Sequence, residues 1–123
     1  MTIFSYLFLF AILNINLNFN TIKISKEQNC WYNVTNDDSV SSKMGNACNS
    51  KTSLRVIYKN NLNRSLRVAF YLADENGKLP DKPYVLVVHK GNSLNHHRCK
   101  SNGKYYVLIA EYDKSCVFPK IAE

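Results

Sequence analysis

The sequence predicts an all-β fold: a small antiparallel β-sandwich or partly open barrel of five to six strands, preceded by a signal peptide. Three observations lead there. After Lys51, apolar residues recur at every second position in short runs separated by Gly, Asn, Asp, Ser and Pro. No long stretch keeps apolar side chains at helical spacing between start and stop signals. Four widely spaced cysteines offer the covalent staples that a domain of about 100 residues, marginal on its core alone, benefits from.

Residues 1–20 carry no charged side chain, and Ile3 to Leu13 is apolar apart from Ser5 and Tyr6. An apolar run of about eleven residues is too short for a bilayer, which takes about twenty, but suits the h-region of a signal peptide. Removal leaves a mature chain that keeps all 16 Lys and Arg and all 9 acids, a net charge of +7, and no expected membrane span. Secretion to an extracellular or periplasmic space follows as the expectation.

Residues 21–51 are polar, with the stretch NVTNDDSVSSKMGN, and read as mostly irregular apart from a short strand near Trp31 to Val34. The β core is expected over residues 52–118, with a tail at 119–123. Ser-Leu-Arg-Val occurs at 53–56 and again at 65–68, separated by the polar KNNLNR, and the two copies read as arms of a hairpin turning at Asn60 to Asn63. YVLVVHK, from Tyr84, reads as a strand covered on both faces, and SLNHHRC as a weaker one. YYVLIAEY alternates most clearly: Tyr106, Leu108, Ala110 and Tyr112 on one face, Tyr105, Val107, Ile109 and Glu111 on the other. The rhythm resembles immunoglobulin-like domains in general architecture, although here the single Trp directly follows the first cysteine.

Cys30, Cys48, Cys99 and Cys116 are even in number and contain no C-x-x-C pair, which points to two disulfides rather than zinc. In a meander running up from 53, down from 64, up from 84, down from 93 and up from 104, Cys48 and Cys99 fall at one end. Cys99 and Cys116 flank a strand about 30 Å long, too far for bonded Cα atoms, which lie within about 7 Å. The expected pairs are Cys48 with Cys99 and Cys30 with Cys116; the runner-up is Cys30 with Cys99 and Cys48 with Cys116.

The segment HKGNSLNHHRC holds every histidine in the chain. His96 and His97 are adjacent, so in a strand they point to opposite faces and cannot grip one ion; no metal and no cofactor is expected. No G-x-S-x-G, H-E-x-x-H, P-loop or dinucleotide-binding glycine pattern is present. The alternative to a binding domain is a small secreted hydrolase, a phosphodiesterase of ribonuclease type using histidines of the 89–99 segment with Lys100 or Lys104.

Charge is segregated. Six basic residues and no acid lie between Ser39 and Ala73, and five basic residues and no acid from Lys82 to Ala110. A face of one sign attracts polyanions. The expected function is therefore a secreted, non-enzymatic, monomeric binding domain whose contact residues are Arg55, Arg67, His96, His97, Lys100 and Lys104. Its expected partner is a protein, an acidic glycan or an anionic lipid head group rather than nucleic acid. Tyr71 and Tyr105 are expected on outward faces, placed to stack on sugars. Asn33-Val-Thr and Asn63-Arg-Ser match the N-glycosylation acceptor pattern in expected loops.

Overall fold

The computed structural model describes residues 30–45, 48–114, 116–119 and 121. The expected signal peptide lies outside these residues. Seven strands form: β1 (Tyr32–Asn33), β2 (Val40–Met44), β3 (Leu54–Lys59), β4 (Leu66–Leu72), β5 (Tyr84–Val88), β6 (Ser93–Arg98) and β7 (Tyr105–Glu111). They build two antiparallel sheets, β1-β7-β4-β5 and β2-β3-β6, packed as an open sandwich.

Alternation along the strands explains the core. In β3, Leu54, Val56 and Tyr58 are buried; in β4, Leu66, Val68, Phe70 and Leu72 meet them from the other sheet. Val107 and Ile109 of β7 complete the layer, with Tyr105 packed against its margin. A second apolar layer lies on the outer face of the four-stranded sheet. There Ala69, Tyr71, Leu108 and Ala110 are covered by Trp31 and by the C-terminal tail, with Cys116 and Ile121 packed against them. Tyr71 donates a hydrogen bond to the Pro119 carbonyl at 3.0 Å, and the Phe118 ring sits 5.7 Å from that of Trp31. One sheet is thus roofed by Trp31 and by the described residues of the C-terminal tail. Among the described residues, the outer face of the other has no such roof.

Three sequence expectations are corrected. The two Ser-Leu-Arg-Val copies are not hairpin arms: β3 and β4 lie in opposite sheets, and KNNLNR carries the chain between them. The reason is Asn60, read from sequence as a turn residue but fully buried. Its Nδ2 donates to the carbonyls of Arg64 at 2.8 Å and Val88 at 3.2 Å, while its Oδ1 accepts from Leu62 N at 2.9 Å. That side chain satisfies backbone groups of the crossover at Leu62 and Arg64 and ties the crossover to the end of β5 at Val88. Second, the strand covered on both faces is β4, whereas Tyr84–Val88 is an edge strand whose Tyr84 and Val87 are exposed. Third, the polar segment before Lys51 contains, besides the short strand expected near Trp31 to Val34, which is β1, the five-residue strand β2. β2 is mostly exposed and is held by its backbone ladder to β3, from Val40 opposite Tyr58 to Met44 opposite Leu54, so no apolar alternation announced it.

Both disulfides pair as expected, Cys30 with Cys116 and Cys48 with Cys99, at Cα separations of 6.0 and 5.5 Å. Cys48 and Cys99 follow β2 and β6, which end on either side of the start of β3.

Candidate functional site

Because Leu54, Val56 and Tyr58 face the core, their neighbours Arg55, Ile57 and Lys59 face outward. Register extends this across the sheet: Lys43 lies opposite Arg55, and Arg55 opposite His97. Three basic-type side chains therefore form one row across β2, β3 and β6, at strand spacings of about 4.8 Å. None of the three strands contains an acid. Lys59, on the same face, donates to the Gly91 carbonyl at 2.8 Å. Arg55 Nε is shut off from solvent and has no hydrogen-bond partner among the described residues.

His96 points the other way, into the open seam between β5 and β6. There it lines a groove of about 370 Å³ with Phe70, Leu72 and Tyr84, rimmed by Lys82, His97 and Arg98. Its ring stacks on Tyr84, centroids 4.1 Å apart and 15° from parallel, and tilts against Phe70 at 5.8 Å. Arg98 Nη1 donates to the Leu72 carbonyl at 3.0 Å and so bridges the two sheets beside the groove. His97 belongs to both the groove rim and the outer row.

Burial pushes the His96 imidazole below its ordinary range, and the neighbouring His97 and Arg98 push in the same direction. The unfolded chain then takes up a proton at higher pH than the folded one. Stability contributed by neutral His96 is present above an ordinary histidine pKa of about 6.5 and is lost as pH falls from there through the folded value. Denaturant titrations between neutral and mildly acidic pH are expected to show this loss in the parent and a flatter profile in His96→Phe. Equal slopes would show that His96 is not the group responsible. Asp74 and Glu111, held below the ordinary carboxylate range by backbone hydrogen bonds from Lys78 and Asn76 and by Arg64 respectively, act in a lower pH window.

The remaining expected site residues divide. Lys100 is exposed beside Cys99, and Lys104 is half-buried in the loop leading to β7, its carbonyl accepting from Ala73 N at 2.9 Å. Both lie at the end of the sandwich that carries Arg98. Arg67 does not join them. It projects from the outer face of the four-stranded sheet, where its guanidinium stands 5.4 Å from the Trp31 ring centroid and Nη1 donates to the Lys114 carbonyl at 2.8 Å. Arg55 and Arg67 both point outward, as their alternation requires, but from opposite sheets. The expected single stripe rested on the hairpin that does not form. Tyr71 is buried under the tail and Tyr105 packs on the core side, so neither offers a stacking surface. The residues sequence reasoning passed over are Lys43, hidden in a segment read as irregular, and Lys82 and Tyr84, brought to the seam by the sheet crossing.

The three histidines do not converge. His89 sits in the β5–β6 turn, its Nδ1 2.8 Å from Ser65 Oγ, whereas His97 is four residues along β6 from Ser93, about 13 Å away at strand rise. The groove holds His96 and His97 but neither His89 nor Lys104. Cys48, His97 and Cys99 place their ligand-type atoms within 4.8 Å of one another, yet both sulfurs are joined in the disulfide, leaving a single imidazole. No helix among the described residues is long and apolar enough to cross a membrane. Comparisons with protein-family models, with curated proteins and with solved structures find no match for this chain.

Proposed function

We propose that this protein is a secreted, non-enzymatic binding domain that takes an acidic glycan on the outer face of its three-stranded sheet. The observation that carries the reading is the Lys43, Arg55, His97 row on a sheet without acids, on an outer face that none of the described residues roofs. An anionic chain lying across β2, β3 and β6 meets these side chains in turn. The adjoining groove offers the stacked Tyr84 and His96 rings to a sugar face, with Lys82 and Arg98 beside them for its carboxylate or sulfate groups. The two disulfides suit an oxidising, extracellular or periplasmic setting. Asn33 and Asn63 are exposed on β1 and in the β3–β4 crossover, so carbohydrate attached there would leave the basic face clear.

The test is retention on heparin and binding of a sulfated oligosaccharide across ionic strengths. Lys43→Glu/Arg55→Glu is compared with Lys90→Glu/Lys114→Glu, which changes net charge equally away from the face. The first pair is expected to weaken binding at least tenfold and to flatten the salt dependence by about two counterions; the second is expected to change it little. Equal losses in both would mean that net charge, rather than this face, governs attraction. Flow-through of the parent at about 0.15 M salt, where screening reaches about 8 Å, would dismiss the polyanion reading.

A further inference from the structure

We infer that Cys48–Cys99 is an exchangeable disulfide whose opening is assisted by His97, while Cys30–Cys116 is the bridge that holds the fold. Cys48, Cys99 and His97 are all exposed, and the imidazole lies within 4.8 Å of the sulfurs. Cys30 and Cys116 are half-buried, with Cys116 packed on the outer apolar layer. A small thiol reaches the first bridge more easily.

The backbone adds a second reason. Cys48 has φ 60° and the following Asn49 φ 52°, two consecutive non-glycine residues in the left-handed region. Asparagine adopts this region more readily than most residues, but a cysteine there is strained and persists where its surroundings impose it. Opening the bridge frees this loop to relax. The sheet itself does not depend on the bridge. β2 and β6 remain paired to β3 through registers running from Val40 to Met44 and from Ser93 to Arg98.

The third reason is electrostatic. Cys99 stands between Arg98 and Lys100, and His97 faces Arg55 of β3, with Lys43 of β2 beyond it. On its own strand His97 neighbours the His96 ring at 6.4 Å and Arg98, and Cys48 approaches from the β2–β3 loop. Cationic surroundings favour a departing thiolate. A low-molecular-weight thiol is the reductant. Its sulfur attacks Cys48 Sγ as the His97 imidazole takes the thiol proton; the S–S bond breaks, and Cys99 leaves with the electron pair and receives that proton. A second thiol molecule resolves the mixed disulfide at Cys48, giving two cysteine thiols and one oxidised small disulfide.

The experiment exposes the folded protein to reduced glutathione, traps thiols with iodoacetamide at timed intervals and maps them by mass. Cys48 and Cys99 are expected to be alkylated at least tenfold faster than Cys30 and Cys116, with the β-sheet circular dichroism retained. His97→Gln is expected to slow the first opening severalfold and to leave the Cys30–Cys116 rate unchanged. Simultaneous opening of both bridges, or earlier opening of Cys30–Cys116, would overturn the inference. An unchanged rate in His97→Gln would equally remove His97 from it, whatever the outcome for glycan binding.

Discussion

Replacing Cys30 and Cys116 together by alanine is expected to cost about 4 to 5 kcal/mol, the largest loss available from a single covalent feature of this chain. The bridge closes a sequence separation of 86 residues, against 51 for Cys48–Cys99, so it removes more freedom from the unfolded chain. It also anchors the roof over the four-stranded sheet, where Trp31 and Tyr71 are buried. Domains of this size are held by only about 5–15 kcal/mol, so the variant sits near the limit of folding. Urea denaturation read by the emission of Trp31, the single tryptophan, gives the test. A midpoint close to the parent's, with no red shift in the native emission, would mean that the tail is held by packing alone.

Phe70→Ala is the second large effect, expected at about 3–5 kcal/mol. Phe70 is fully buried between the sheets, and its ring also backs the seam groove against His96. Removing it leaves a cavity and admits water to the imidazole. Burial is the leading cause of the depressed His96 pKa, so the variant's His96 is expected to titrate nearer the ordinary range, read by proton NMR of the imidazole signals. Phe70→Leu, which keeps most of the volume, is expected to lose about half as much or less and to leave that titration nearly in place. A titration unmoved in Phe70→Ala would show that the groove does not depend on this ring.

The strands that became the sandwich core were legible because alternation is a local signal. Leu54, Val56, Leu66, Val68, Phe70, Val107 and Ile109 all face inward as their spacing implies. The cysteine pairing was legible too, since it depends on which end of the sandwich each strand reaches rather than on which strand is its neighbour. Strand partnership was not. Whether β3 meets β4 in one sheet or across two is decided by Asn60, whose side chain reads identically in a turn and in a buried anchor. That one ambiguity put Arg67 on the wrong surface. β2 escaped notice for a different reason: an exposed edge strand held by backbone hydrogen bonds needs no apolar pattern, so Lys43 could not be placed beside Arg55 from sequence. The segregation of charge was visible as composition, but the row that it forms needed the register.

The most direct test of the account is an amide chemical-shift map of the protein titrated with a sulfated oligosaccharide at about 0.15 M ionic strength. Shifts are expected at Lys43, Arg55 and His97 and around the seam at Lys82, Tyr84 and Arg98, with the roofed surface around Arg67 and Lys114 silent. Shifts centred on that roofed surface, or none at all, would contradict a binding domain built on the three-stranded sheet.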